Sequence, residues 1–463
     1  MKRGWWSNYS NNASERCQWP GISCNTAGSI IQINLSYAFL IEVGDRFGKL
    51  NFSSFPNLVL LDLSHRQLGG KIPHQIGYLS ALKHLDLSFC GLSGELPPSL
   101  GNLTQLEYLD ISYNYNINGS IPPQLGNLVN LVSLNLSTNS LGGNIPPFLG
   151  LLANIRHLIL DRNQFADGNN TIPQNLWNLR GLETLSLSGC GIVGPIASAL
   201  GSIPQNIEKL KNINFLSITN NSFTGHIPLA LCRLTKLESI YLDKNQISGS
   251  IPSCLGKLFN LRTLDLDSNL LEGLIPEEIG NLEALRFLDL SKNILIGSIP
   301  IEIGNLANLT SFSLSQNKLS GSIPSCIGIL SNLQSLQLDS NLLKGPIPEE
   351  IGRLFHLSNL NLSFNQLSGN SRLSPYMCPS PVTNKANSSR IPYYIKIFLP
   401  SAIFSTVSIL GYFLFSRFKL KTNRVGVQPT KNGDLCSIWN YDGKIAYEDI
   451  VAATEDFDFC YYI

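Results

Sequence analysis

The chain has 463 residues, a length that ordinarily divides into about three domains, yet only 14% of them are charged, and 38 Gly with 25 Pro is close to average usage. Collagen and extended disorder are excluded, and a balance of 33 basic against 32 acidic residues removes the electrostatic footprint of a nucleic-acid binder. Two Met amid abundant Leu, Ile and Asn point to a repetitive scaffold in which each position dictates its residue, so periodicity is the first question.

The chain opens Met1-Lys2-Arg3-Gly4-Trp5, a charged start without the apolar run of a signal peptide. Trp5-Trp6 and Cys17-Gln-Trp19-Pro-Gly21-Ile22-Ser-Cys24 follow. From there a pattern L-x-x-L-x-L-x-x-N takes over, with Leu261, Leu264, Leu266 and Asn269 repeated 24 residues later as Leu285, Leu288, Leu290 and Asn293. The Asn position falls at Arg66, Cys90, Asn114, Asn139, Asn163, Cys190, Asn221, Asn245, Asn269, Asn293, Asn317, Asn341 and Asn365, which gives thirteen copies after a degenerate first one at Ile30, Ile33 and Leu35. The x-L-x-L-x core predicts one short strand per coil, its two Leu inward and the intervening residues outward. The Asn turns inward at the strand end, where its amide serves backbone groups unpaired by the bend. Cys90 and Cys190 fill that slot as small apolar residues with a weak donor.

After each Asn comes x-L-x-G-x-I-P-x-x-L-G-x-L, as in Leu319, Gly321, Ile323, Pro324, Ile327, Gly328 and Leu330. Over about Trp5 to Gly369 the chain resembles the plant-specific class of leucine-rich repeat, the extracellular part of plant receptor-like kinases and receptor-like proteins. The resemblance implies an α/β repeat solenoid, a superhelix with a parallel β-sheet on the concave face and a second strand from L-x-G-x-I-P. It also implies an N-terminal cap over residues 1–29, closed by a disulfide between Cys17 and Cys24, ahead of repeats over 30–370. Cys254 and Cys326, three coils apart, stand roughly 15 Å from each other, too far to bridge. Cys232 and Cys254 lie in adjacent coils, and their pairing stays open. Cys378 resembles half of a C-terminal cap without its second Cys. Two intervals are long, 27 residues from Asn163 to Cys190 and 31 from Cys190 to Asn221, and place loops at Asp167 to Thr171 and Ile196 to Gln205.

Sequons stand at Asn8, Asn12, Asn34, Asn51, Asn102, Asn118, Asn135, Asn169, Asn220, Asn308, Asn361 and Asn387, all ahead of a 19-residue uncharged run, Ile397 to Phe415. The repeat generates some N-L-S and N-L-T by itself. The uncharged run predicts a single transmembrane helix within 395–416 after a linker over 371–394, and Arg417, Lys419, Lys421 and Arg424 place its C-terminal side in the cytoplasm. A single-pass plasma-membrane protein with extracellular repeats follows, and the cap, sequons and span together make the bare N-terminus a trimmed or misannotated secretory start.

The stub over 417–463 includes Gly433 to Asp458, with Tyr447, Ile450, Val451, Thr454 and Phe457 at helical spacing. It is similar to the segment ahead of the kinase Gly-rich loop in the male-discoverer-interacting subgroup of these receptor-like kinases. No G-x-G-x-x-G, catalytic Asp with its Asn, or metal-binding Asp occurs, and His157-Leu-Ile-Leu-Asp161-Arg-Asn163 is a repeat strand. The six His at 65, 74, 84, 157, 226 and 356 lack metal-ligand spacing. The expectation is therefore a protein without enzymatic activity, cofactor or metal, although its relatives are Ser/Thr kinases.

Outward strand residues stack about 5 Å apart from coil to coil and build a face roughly 60 Å long, suited to an extended peptide. The column four before the Asn includes Asp62, Asp86, Asp110, Tyr241, Asp265 and Asp289. Tyr241, Asp243, Asp265, Asp267, Phe287 and Asp289 are the candidate ligand patch, carboxylates beside aromatics being suited to basic or hydroxyl-bearing side chains. The alternative is that L-D-L-S is simply what this repeat prefers. The functional expectation is a membrane-anchored receptor ectodomain for a peptide or protein ligand, acting with a leucine-rich-repeat co-receptor kinase as the family resemblance implies. The alternatives are a kinase-less receptor-like protein or decoy, and a wall-associated hydrolase inhibitor.

Overall fold

The computed structural model describes residues 13–36, 47–48, 50–165, 171–195 and 210–368. By internal contacts the chain divides into 1–378 and 379–463, and every described residue belongs to the first unit. The linker, the expected span, the cytoplasmic stub, Cys378, nearly all of both inserted loops, and Asn8, Asn12, Asn169 and Asn387 lie outside the described residues. Among the described residues no helix is long and apolar enough to cross a membrane.

The x-L-x-L-x cores form strands of about three residues whose middle apolar side chain is buried, as in Thr263–Asp265 and Phe287–Asp289, except in the last, where Leu360 is exposed. Fourteen such strands, from Ile30–Asn34 to Asn359–Asn361, join in one parallel sheet, and Ile22–Cys24 adds an antiparallel strand at the N-terminal edge. Register follows the repeat, so Leu264 lies between Ile240 and Leu288. The longest interval does not disturb it. Thr184–Ser186 still pairs residue for residue with Phe215–Ser217.

The L-x-G-x-I-P segment supplies the expected second strand, in a six-stranded parallel sheet from Val193–Pro195 to Lys318–Leu319 and in two further strand pairs. The return path corrects the α/β expectation, because its helical turns among the described residues are all 3-10. Glu277–Asn281, led by Pro276, is typical. Adjacent coils advance by about 4.8 Å, whereas an α-helix with its side chains is about 10 Å across, so only a tighter turn stacks in step with the strands.

Inside, the Leu rows and the strand-end Asn close the core. Asn269 accepts from the Ile247 N–H at 3.0 Å and donates to the carbonyls of Leu242, Leu266 and Asp267 at 3.0–3.2 Å. Cys90 replaces only the donor half, its thiol reaching the Leu63 carbonyl at 3.0 Å. The Leu68 N–H that an Asn would have served turns to the backbone carbonyls of Arg66 and Cys90. Burial pushes the Cys90 and Cys190 thiols up to about 12, consistent with a packing role.

Cys17 and Cys24 are disulfide-bonded in the cap, and Cys232 is bonded to Cys254. The second bond, left open by the sequence, follows from coil stacking. Most of the 3-10 turns present a Gly to the next coil, and a Cβ on Gly280 would run into Glu302, one on Gly304 into Cys326. Cys232 occupies that Gly position and Cys254 is the residue facing it. Cys326 faces Gly304 and is a free thiol.

Candidate ligand-binding face

The outward columns of the long sheet are built by the strand alternation and by a bend at its end. The residue before each strand-end Asn has φ near +55°, as at Lys244, Ser268 and Lys292, which swings its side chain out at the rim. The residue four before the Asn accepts locally. Ser64, Ser88, Ser112 and Ser291 donate their backbone N–H to Asp62, Asp86, Asp110 and Asp289 at 2.8–3.0 Å. Asp at this position thus stabilises the turn in every coil that carries it, which is the preference for L-D-L-S in physical terms.

The candidate patch assembles in part. Tyr241, Asp265 and Asp289 stand side by side on three adjacent strands, and Phe287 lies two residues before Asp289 on the same face. The Tyr241 ring leans on Phe215, centroids 5.5 Å apart. Asp243 and Asp267 are brought close but turned inward, with relative exposures of 4% and 8%. Asp243 accepts from Thr219 Oγ1 at 2.6 Å and Lys244 Nζ at 3.1 Å. Asp267 accepts from Ser291 and Ser268 at 2.8 and 2.9 Å, with Lys292 Nζ at 3.4 Å. These two therefore serve the scaffold and neutralise neighbouring lysines. Burial and the Asp243 charge raise the Asp265 carboxyl to about 7, burial raises that of Asp289, and the hydrogen bond to Asp243 raises the Lys244 ammonium.

The sequence reading missed a second cluster on the first coils. His65, Phe89 and Tyr113 stack in line at the rim, with centroids 4.5 and 4.0 Å apart. His84 stacks on Tyr108 at 4.3 Å. Asp62, Asp86 and Asp110 stand in register between these two rows. Its signal was an aromatic residue one before the Asn position in three successive repeats. Burial raises the Asp86 carboxyl, and the charges of Asp110 and Asp62 push it further the same way against the hydrogen bonds from Ser88.

Of the described sequons, Asn51, Asn102, Asn118 and Asn220 are exposed. Asn34, Asn135 and Asn361 sit at strand ends, where the repeat itself uses them: each accepts from the N–H and hydroxyl of the Ser two residues on. Asn308 is exposed too, and its amide donates to the Glu283 carbonyl at 2.8 Å, as Asn260 does to Thr235.

This geometry agrees with what the chain resembles. The family described as leucine-rich repeat region matches residues 51–195 and 260–372, and leucine-rich repeats are also matched over 181–210, 212–234 and 236–258. Receptor-like protein 35 of Arabidopsis thaliana is 37% identical over 67 residues, 14% of this chain and 7% of that protein. A leucine-rich repeat receptor-like serine/threonine-protein kinase of the same plant is 38% identical over 82 residues, 17% of this chain and 7% of that protein. Among solved structures, the Arabidopsis receptor kinase HAESA ectodomain in complex with an N-terminally extended IDA peptide hormone is similar, with a TM-score of 0.63 and 32% identity over 79% of this chain and 62% of the other. The plant peptide hormone receptor RGFR1 in complex with RGF2 gives a TM-score of 0.61 and 31% identity over 76% of this chain and 65% of the other. The matched stretch is thus under a tenth of the curated relatives and just under two thirds of those two ectodomains. With register, second strand, cap disulfide and family match in agreement, the chain belongs to the leucine-rich repeat family, as a plant-type, extracellular-type ectodomain related to receptor-like kinases and receptor-like proteins.

Proposed function

We propose that this chain is the ligand-recognition part of a plant cell-surface receptor, held by a membrane span at Ile397–Phe415 and binding an extended peptide along the long sheet. The observation that carries this reading is the unbroken register of parallel strands, which repeats outward side chains about every 4.8 Å and so offers a row of contacts to an extended chain. Its likeness to two ectodomains solved with peptide hormones supports the ligand class. Tyr241, Asp265, Phe287 and Asp289 are the residues of the candidate patch that face outward to meet the peptide, while Asp243 and Asp267 hold it in shape. The similarity of the chain's tail to the segment ahead of the kinase Gly-rich loop supports an origin in the male-discoverer-interacting group of receptor-like kinases, with a leucine-rich-repeat co-receptor kinase carrying the signal inward.

The test is selection of a displayed library of random linear peptides on the purified full chain in detergent micelles. Selected peptides should lose about tenfold in affinity for each of Asp265→Asn and Asp289→Asn, the scale of one charge-assisted hydrogen bond. Absence of any enriched peptide, or affinity that no substitution on the sheet face changes, overturns the proposal.

A further inference from the structure

The first coils carry a surface that the preceding proposal does not use. Asp62, Asp86 and Asp110 form a carboxylate row on adjacent strands. On one side His84 lies flat on Tyr108, their planes within 3°. On the other stand His65, Phe89 and Tyr113, with Tyr115 edge-on to Tyr113 at 6.4 Å. One ring row lies two residues before the carboxylates on the strand and the other three residues after them, past the bend at the strand end, so the carboxylates run between two rows of rings. Ser64 and Ser88 complete the floor. Phe89 and Tyr115 are exposed.

The row differs from the later acidic patch in how its charge is met. Asp62 and Asp86 each use Oδ1 for the N–H and hydroxyl of the Ser two residues on. Among the described residues neither Oδ2 has a protein donor. Asp110 uses both oxygens, Oδ1 for the Ser112 N–H and Oδ2 for Asn135 at 2.8 Å and the Tyr108 hydroxyl at 3.3 Å. Among the described residues no Lys or Arg pairs with any of the three, whereas Lys244 and Lys292 sit on Asp243 and Asp267. The trough therefore combines carboxylates that carry no ion pair of their own with apolar walls. Because the rings spend their faces on one another, they offer edges, which suit alkyl stems better than a cation placed over a ring.

We propose that this trough binds a basic stretch of an extended peptide, with the ammonium or guanidinium groups on Oδ2 of Asp62 and Asp86 and their alkyl stems along the ring walls. The inference rests on the peptide-binding reading and adds a second contact region with a defined ligand chemistry. A ligand long enough to span both regions would meet it with one end.

The experiment measures binding of a fluorescent alternating Arg-Ala decapeptide to the full chain in detergent micelles, beside Gln-Ala and Glu-Ala counterparts and spermidine as competitor. Asp62→Asn with Asp86→Asn removes both charges but keeps Oδ1 as acceptor; Asn already fills this position at Asn135 and Asn361 with the same bonds to Ser137 and Ser363. The Arg probe should bind about a hundredfold more tightly than the Gln probe and lose about as much in the double variant, tenfold per carboxylate. Phe89→Ala should weaken it severalfold. Equal affinity for the Arg and Gln probes, or a loss that follows Asp265 and Asp289, overturns the proposal. So does competition by spermidine at the concentration of the peptide, which assigns the row to free cations. Library-selected peptides that bind at Asp265 while the Arg probe ignores Asp62 and Asp86 sink this inference alone; the reverse result sinks the earlier assignment of the patch.

Discussion

Asp265 shows how one side chain couples the face to pH. Its carboxyl is lifted to about 7 by burial first and the Asp243 charge second. In the unfolded chain the same group releases its proton near pH 4, so between about pH 4 and 7 the folded chain keeps a proton that the unfolded chain has lost. Stability due to this group is greatest at acid pH and falls as pH rises through that window. Asp265→Asn should therefore melt with the parent near pH 4 and about 1–2 °C above it at pH 8; a lower melting temperature at pH 8 would contradict the assignment. Asn269 makes the opposite case, a residue wholly legible in the sequence because its role is local and repeated. Asn269→Ala leaves the Ile247 N–H without its acceptor in the core, while the carbonyls of Leu242, Leu266 and Asp267 each keep a second donor, and should cost about 2 kcal/mol in denaturant unfolding. The two Asp of the candidate patch that turned inward were not legible. Whether Asp243 and Asp267 face a ligand or the scaffold depends on Thr219 and Ser291, each 24 residues away.

At the scale of the element, the 3-10 turn with its Gly decides how closely coils stack. A Cβ built on Gly304 meets the Cys326 Cβ at 2.8 Å and its Sγ at 3.3 Å, at the same two positions that Cys232 and Cys254 occupy three coils earlier. Opening that contact by about 1 Å gives the usual Cβ separation of a disulfide, about 3.8 Å. Gly304→Cys should bond to Cys326 under oxidising conditions, detected as a crosslinked peptide by mass spectrometry, and should raise the denaturant midpoint. A free thiol at both positions would show that the coils cannot give at that point. The same element explains the fold correction. The repeat length and its Pro announced a return path, but its helix type followed from the width available between coils.

For the whole molecule, the extracellular reading and the proposed span lead to one outcome. Expressed in plant cells, the full chain should sediment with membranes, lose apparent mass on treatment with an endoglycosidase, and keep a tag placed after Ile463 protected from protease applied outside the cell. A soluble, unglycosylated chain in the cytosol would refute that topology. The amino-acid sequence by itself determined the solenoid, its register, the strand-end Asn row and the outward columns, because a 24-residue period forces each position to do the same local work in every coil. Tertiary structure alone decided which carboxylates pair with a lysine and which accept from a serine or threonine of a neighbouring coil, which aromatics stack into walls, and that Cys232 joins Cys254. Those outcomes depend on side chains one coil apart in space and about 24 residues apart in the chain, where rotamer and depth, rather than residue type, choose the partner.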